Sequence, residues 1–213
     1  MAKSRKSLVV LSCLALMMAT AFVGTAAAPK AKTAPAGASA PVYIPDAEAI
    51  LLTESFETAV PPAGWTVTGT HTGTETWHQD SFDPYDGAYY ANCNWDPSLI
   101  PQDEWLVSPP FDLAAGAGSI SLWTLGSVYW CRDTFDNCDL NVYLVVGAPG
   151  GGDDILVGNA DGAWPDSWIW GQAIFDISGS LPVNASVGLH YSGTDGAQIS
   201  ADLVVLDLSL IHI

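Results

Sequence analysis

The segment PVNASVGLHYS, residues 182–192, alternates apolar and polar side chains at every position after its proline. The alternation assigns Val183, Ala185, Val187, Leu189 and Tyr191 to one face, and Asn184, Ser186, Gly188 and His190 to the other. A period of two residues is typical of a β-strand with one face against a core. The segment therefore predicts a half-buried strand.

Several other segments also favour β-structure. Those rich in β-branched and aromatic residues are SISLWTLGSVYW (119–130), DLNVYLVVG (139–147), WGQAIFDIS (170–178) and ADLVVLDLSL (201–210). Turn-forming residues separate them, and no apolar period of 3.6 residues runs long enough to predict a helix. Short strands at this spacing predict an all-β fold, an antiparallel β-sandwich of jelly-roll type.

The amino-terminal residues resemble an export signal. Residues 1–6 are basic, residues 7–24 are almost wholly apolar, and small residues follow. This pattern predicts a secretory signal peptide over residues 1–27. An uncleaved membrane anchor and a lipoprotein cysteine at Cys13 are the alternatives, although the apolar run continues past Cys13. No other stretch approaches the roughly 18 apolar residues of a spanning helix, so the mature domain is not expected to insert into a membrane.

The remaining chain divides by composition. Residues 28–50 are rich in Ala, Pro and Lys and predict a flexible tether. Residues 51–210 suit one domain. The final SLIHI, residues 209–213, resembles translated sequencing adapter, which would mean that the reading frame, and with it any carboxy-terminal anchor, is cut short.

The charge is strongly unbalanced, with 23 acidic and six basic residues. Every acidic residue lies at Asp46 or later, and Arg132 is the sole basic residue in that part of the sequence. Such a surface repels nucleic acid and anionic lipid, and it suits divalent cations. Adaptation to a saline habitat, without a specific ligand, is the alternative interpretation.

Three cysteines remain after the predicted signal peptide. Cys131 and Cys138 flank the turn-like segment RDTFDN between two strand-like segments. Because a secreted chain permits disulfides, this placement predicts a Cys131–Cys138 bridge. Cys93 is then left as a buried thiol or as an intermolecular partner.

Motifs along the whole domain resemble one known family. They are Phe56-Glu57 with PPAGW (61–65), DEWLVSPPFDL (103–113), Leu122-Trp123, Trp170 with Phe175-Asp176-Ile177, and Asp202-Leu203-Val204. Together they resemble choice-of-anchor J domains, which are similar to the cleaved-adhesin domains of secreted bacterial proteases and more distantly to MAM domains. The resemblance implies a jelly-roll sandwich on a secreted or cell-surface bacterial protein. It also implies a non-catalytic role in attachment or recognition.

The same resemblance implies a structural calcium site, because the first and last strands of such jelly rolls converge on an ion. Glu57 and Asp202 would be its ligands, with Asp103 as a third. Asp207 is the alternative to Asp202, since Leu203 stands where the family usually has a second Asp or Asn. Calcium binds about six to eight oxygen ligands, and Arg132 is the only basic residue that could otherwise balance these carboxylates.

Aromatic residues in turn-rich segments predict a ligand-binding surface. Trp164 and Trp168 lie beside Asp161 and Asp166, and Tyr85 and Tyr89 lie in DPYDGAYYANCNW (83–95). Aromatic rings next to carboxylates suit stacking on sugar rings, so the expected ligand is a surface glycan or protein. Capping of the sandwich edge is the alternative role. The tryptophans at family positions are expected in the core: Trp65, Trp105, Trp123 and Trp170.

No catalytic motif is present in the sequence. It contains no Gly-x-Ser-x-Gly elbow, no His-Glu-x-x-His and no phosphate-binding loop. The adjacent Asp103 and Glu104 would point to opposite faces of a strand, so they do not form an acid–base pair. We therefore predict a non-enzymatic module. A secreted polysaccharide hydrolase and a purely structural envelope protein are the competing hypotheses.

Overall fold

A computed structural model describes residues 48–113 and 117–209. In these ranges the chain forms strands joined by short turns. The strands are β1 (Glu48–Glu54), β2 (Thr66–Thr68), β3 (His78–Asp80), β4 (Tyr90–Cys93), β5 (Gln102–Val107), β6 (Phe111–Asp112), β7 (Ala117–Leu125), β8 (Cys138–Val145), β9 (Ile155–Asn159), β10 (Gly171–Ile177), β11 (Val183–Gly193) and β12 (Ile199–Ser209). Two 3₁₀ turns, Gly73–Glu75 and Asp161–Ala163, and a π-helical turn, Tyr129–Asp133, connect them.

The strands form two antiparallel sheets. The first has the order β10-β7-β12-β4-β3, with β1 also paired to β12. The second has the order β2-β5-β11-β8-β9, with β6 also paired to β11. Apart from the pairs β3–β4 and β8–β9, neighbouring strands are not consecutive in sequence, as in a jelly roll, and the predicted fold class is confirmed.

The core lies between the sheets and is built from the alternating positions of their long strands. In β11, Ala185, Val187, Leu189 and Tyr191 are fully buried, as the alternation predicts. Val183 is the exception and is 57% exposed. A register shift after Val183, where β11 pairs with β6, separates it from the inward-facing residues.

The predicted boundaries need two corrections. β1 begins at Glu48, which pairs with Ser209 of β12, so residues 48–50 belong to the domain and not to the tether. The end of SISLWTLGSVYW is not strand, because residues 129–133 form the π-helical turn. The predicted signal peptide and the rest of the tether lie outside the described residues. Within the described residues, no helix has the length and apolar character needed to cross a membrane.

The cysteines are arranged around the π-helical turn. Cys131 and Cys138 form a disulfide with their Cα atoms 4.5 Å apart, which fastens this turn to the start of β8. Cys93 is a free thiol with no exposed surface, so it cannot reach a second chain without unfolding. Burial raises the pKa of the Cys93 thiol well above its usual value.

An irregularity in β12 determines where Asp202 lies. The register with β7 shifts between Asp202 and Val205, and Leu203 has a positive φ of 45°. As a result, both Ala201 and Val204 face the core. Asp202 is directed away from the core, under the loop that precedes β4.

Candidate functional site

Trp164 belongs to the core, and its predicted role in ligand binding is wrong. Its side chain is 2% exposed, and its ring packs against Gly126, where any side chain would overlap the ring. The indole nitrogen donates a hydrogen bond of 3.3 Å to Thr124 Oγ1. A ring enclosed in this way has no face free for a sugar.

Trp168, four residues later, has the opposite environment. It is 49% exposed, and its backbone is in the left-handed region with φ 63°. Its N–H donates a 2.8 Å hydrogen bond to the Gly126 carbonyl, which holds this conformation in place. A bulky residue with positive φ is uncommon, and such strain concentrates at functional sites.

Trp168 lines a cleft, which we call the aromatic cleft, together with Trp95, Trp130 and residues 195–198. The cleft has a volume of about 290 Å³. This volume is at the small end of the roughly 300–1,000 Å³ typical of small-molecule sites. Sequence reasoning missed Trp95 and Trp130. The available signal was the position of Trp130 directly before a bridged cysteine, which places it in a fixed loop.

The π-helical turn holds Trp130 in the wall of the aromatic cleft. The Trp130 ring stacks on Phe135 with centroids 4.7 Å apart. The backbone N–H of Trp130 donates to Ser127 Oγ at 3.3 Å, and its backbone carbonyl accepts from the Asn137 N–H at 2.9 Å. Because Cys131 follows directly, the disulfide restrains the same turn.

The loop between β11 and β12 forms the facing wall and rests on the same disulfide. Gly196 packs so closely on Cys138 that a side chain there would overlap the sulfur. The Ala197 N–H donates to Cys138 Sγ at 3.3 Å, and Asn137 Nδ2 donates to the Asp195 carbonyl at 3.0 Å. One bridge therefore positions both walls.

A second groove adjoins the aromatic cleft. It is lined by Phe82, Asp83, Tyr90 and Leu125, together with Trp168 and Gln198, which line the aromatic cleft as well. Its volume is about 160 Å³. Trp168 and Gln198 therefore border two adjacent depressions, so a ligand longer than the aromatic cleft could extend past Trp168 into the second groove.

Tyr85 and Tyr89 lie in the loop before β4 and do not line the aromatic cleft. Both are 41% exposed, and the Tyr85 ring stacks on Trp123 with centroids 3.8 Å apart. Trp123 and Trp170 were expected in the core, but they are half-buried beneath this loop. Trp65 is buried in the core, as expected. Trp105 is buried too, in a small separate cluster with Val107 and Val145.

Glu57 and Asp202 both bind the loop before β4. Glu57 accepts hydrogen bonds from the N–H groups of Ala88 and Tyr89, at 3.0 and 3.1 Å. Asp202 Oδ2 accepts from the N–H groups of Tyr85 and Asp86, at 3.0 and 2.9 Å. Asp202 is fully buried, and this burial raises its pKa to about 6. Asp202 of the last strand and Glu57, three residues after the end of β1, thus present carboxylates to one short loop.

The structure does not bring Asp103 to this pair. Asp103 lies in β5 of the second sheet, where it accepts a 2.9 Å hydrogen bond from Trp105 Nε1 and lies 2.6 Å from His190 Nε2. The neighbouring Glu104 is fully buried while Asp103 is exposed, as predicted for adjacent strand residues. Asp103 therefore does not lie with Glu57 at one candidate calcium site.

Asp207 is also separate from the pair. It lies five residues after Asp202, which is about 15 Å along a strand. There it lines a different groove with Ser119 and Asp176. Across residues 48–113 and 117–209, no group of three or more His, Cys, Asp or Glu side chains is placed to hold a metal ion. Calcium at Glu57 and Asp202 would thus need further oxygens from the loop and from water, which calcium accepts.

A histidine between two carboxylates forms a further polar cluster, which the sequence did not predict. His71 lies between two carboxylates, with Nδ1 2.9 Å from Glu104 Oε1 and Nε2 3.4 Å from Asp96 Oδ2. Glu104 also accepts the N–H groups of Thr70 and His71, each at 3.0 Å. Burial lowers the pKa of His71, but the hydrogen bonds and charges of Glu104 and Asp96 outweigh it and raise the pKa above its usual value.

This cluster predicts a pH-dependent contribution to stability. A raised pKa in the folded state means that protonated His71 stabilises the fold fully below pH 6.5, the unfolded value, and that this contribution is lost as the pH rises through the folded pKa. We expect His71→Gln to lower the free energy of unfolding more at pH 6 than at pH 8.5, measured by urea denaturation. His78→Gln is the control, because the His78 ring bonds to the Thr76 carbonyl. Equal losses for His71→Gln at both pH values would refute the prediction.

Solved structures share this architecture. No protein-family model matches the sequence, and no curated protein matches it. The K3 cleaved adhesin domain of Lys-gingipain from Porphyromonas gingivalis superposes with a TM-score of 0.58 at 18% identity, covering 74% of this chain and 98% of that one. The K1 domain of the same protein gives 0.54 at 18% identity, covering 73% and 96%. The chain has a cleaved-adhesin-like jelly-roll fold.

The cleaved-adhesin-like fold is also found among sugar-binding modules. The CBM22-1 xylan-binding domain of Xyn10C from Paenibacillus barcinonensis superposes with a TM-score of 0.50 at 15% identity, covering 78% of this chain and 99% of that one. The fold implied by the sequence motifs is thereby confirmed. At identities this low, the similarity concerns the fold alone.

Proposed function

We propose that this domain is a secreted or cell-surface, non-catalytic module that binds glycan in the aromatic cleft. The observation that carries this proposal is Trp168, a half-exposed ring on strained backbone that borders two adjacent depressions. Flat aromatic rings stack on flat ligand rings at roughly 1–3 kcal/mol each, by analogy with measured base stacking. The cleft offers three such residues, Trp95, Trp130 and Trp168.

The structural neighbours support this role without assigning a ligand. They include adhesin domains and a xylan-binding domain with the same fold. The rigid walls of the aromatic cleft support it further, because a site held by a disulfide and backbone hydrogen bonds loses little freedom on binding. A module of this kind needs no nucleophile or paired acid and base.

We further propose that calcium binds Glu57 and Asp202 and has a structural role. Both carboxylates hold the loop before β4, and Asp202 is fully buried. Arg132, the one basic residue of the described ranges, is bound to Asp133 instead. A divalent ion would supply the missing positive charge and would tie the turn after the first strand to the last strand.

Glycan binding is tested first on an array, with calcium and with chelator, and then by calorimetry on the best ligand. Trp168→Ala should weaken binding by about 1–3 kcal/mol, the range for one stacked ring. Ile174→Ala is the matched control, because Ile174 is 60% exposed on β10 and does not line the cleft. Unchanged affinity in Trp168→Ala would refute the site. Binding to a protein and to no glycan would refute the ligand class.

A further inference from the structure

The residues that line the aromatic cleft restrict the charge of the ligand that it can bind. Of the described residues that line this cleft, Asp195 alone is charged, and three of the others are the tryptophans Trp95, Trp130 and Trp168. Aromatic ring faces carry partial negative charge and attract cations. The carboxylate and the rings therefore favour the same kind of ligand group, a cation, and both disfavour an anion.

The second groove repeats this combination on the other side of Trp168. There Asp83 lies among Phe82 and Tyr90, and Trp168 and Gln198 border both depressions. Each of the two adjacent depressions thus combines an aromatic lining with one acidic residue. Such a repeat suits a polymer in which each unit carries a ring and a positive charge.

An anionic glycan would find no counter-charge here. Arg132 is the only basic residue in the described ranges, and its Nε donates to Asp133 at 2.7 Å. Its Nη1 donates to the carbonyls of Asp161 and Trp164, at 3.2 and 3.0 Å. All 23 acidic residues lie at Asp46 or later, so the field around the domain concentrates cations.

We propose that the aromatic cleft and the second groove bind a glycan made of protonated amino sugars. Sugar rings stack on the aromatic side chains, and the ammonium groups pair with Asp195 and Asp83. A neutral glycan would use the rings and leave both carboxylates without a partner. This inference rests on the proposed glycan-binding function and names the class of glycan.

The test compares four oligosaccharides of equal length by calorimetry in low-salt buffer with calcium. They are a β-linked glucosamine oligomer, its fully N-acetylated form, a cello-oligosaccharide and an oligogalacturonate. The glucosamine oligomer should bind about tenfold or more tightly than the two neutral oligomers, because a partly desolvated cation beside aromatic rings and a carboxylate gains about 1–2 kcal/mol. The galacturonate should not bind, and added salt should weaken the binding of glucosamine alone.

Charge-removing variants separate a specific site from general attraction to an acidic protein. Asp195→Asn and Asp83→Asn should each weaken binding of the glucosamine oligomer several-fold and leave the N-acetylated oligomer unchanged. Asn tolerates the positive φ of 56° at position 195, so this variant should fold. Asp153→Asn is the control. It removes the same charge from an exposed loop beyond the far end of β8, away from Cys138 and the aromatic cleft.

The outcomes distinguish this inference from the function on which it rests. If neutral and amine-bearing oligomers bind equally well and Trp168→Ala weakens the binding of both, the inference is overturned and the proposed glycan-binding function stands. Equal weakening by Asp153→Asn and Asp195→Asn would also overturn it, since the attraction would then be non-specific. Failure of all oligomers to bind would overturn both. Melting temperatures of each variant confirm that the fold is intact.

Discussion

Replacing Trp164 by alanine is expected to lower the free energy of unfolding by about 3–5 kcal/mol, the usual cost of removing a buried aromatic ring. The ring is 2% exposed, fills the space above Gly126 and bonds to Thr124. Its removal leaves a cavity and takes one hydrogen-bond partner from the Thr124 hydroxyl, which still donates to the Ser200 carbonyl at 2.7 Å. Urea denaturation followed by far-UV circular dichroism measures the loss.

Trp168→Ala is the matched control for this variant, because the same residue type lies four positions later in the same loop. Its ring is 49% exposed, so stability should change by no more than about 0.5 kcal/mol, the usual range for surface substitutions. Together the two variants separate a core role from a ligand role. Equal destabilisation by both, or a neutral Trp164→Ala, would contradict the assignment.

Calcium is expected to stabilise the domain by about 2.7 kcal/mol at a concentration a hundredfold above its dissociation constant, provided that it binds the folded state alone. The expected cause is neutralisation of Glu57 and Asp202, which hold one loop without a basic partner. Thermal unfolding in calcium and in chelator measures the increment. Glu57→Gln and Asp202→Asn should each remove most of it.

Asp103→Asn and Asp207→Asn are the controls for the calcium experiment. Asp103 bonds to Trp105 in the other sheet, and Asp207 lines a separate groove. Both variants should therefore keep the full calcium increment. Identical melting of the unmodified protein in calcium and in chelator would rule out the site, and loss of the increment in Asp103→Asn would show that the ligand set is different.

Much of the fold could be predicted from local sequence patterns. The alternation in residues 183–191 placed Ala185 and Leu189 correctly in the core, because the side chains of a strand alternate between its faces. Which strands pair could not be derived in this way, since β12 joins β7, β4 and β1 through contacts between distant parts of the chain. The family resemblance implied a jelly-roll sandwich but not the individual pairings.

The candidate site was less predictable, because burial depends on what another segment places nearby. Trp164 and Trp168 lie in one turn-rich segment. The Trp164 ring packs against Gly126, whereas Trp168 contacts Gly126 only through a backbone hydrogen bond. The choice between Asp202 and Asp207 likewise depended on an irregularity in β12 at Leu203. Neither effect leaves a local pattern in the sequence.

The position of β12 has a consequence for biosynthesis. The first sheet is assembled on this strand: Glu48 of β1 lies opposite Ser209, and Ala91 of β4 lies opposite Ala201. A nascent polypeptide that emerges amino terminus first cannot complete the sheet until residues 199–209 have emerged. Until then the edges of β1, β4 and β7 are unpaired and open to pairing with other chains. Polypeptides that terminate before β12 should therefore aggregate, and a chaperone that holds the growing chain should raise the yield of folded protein.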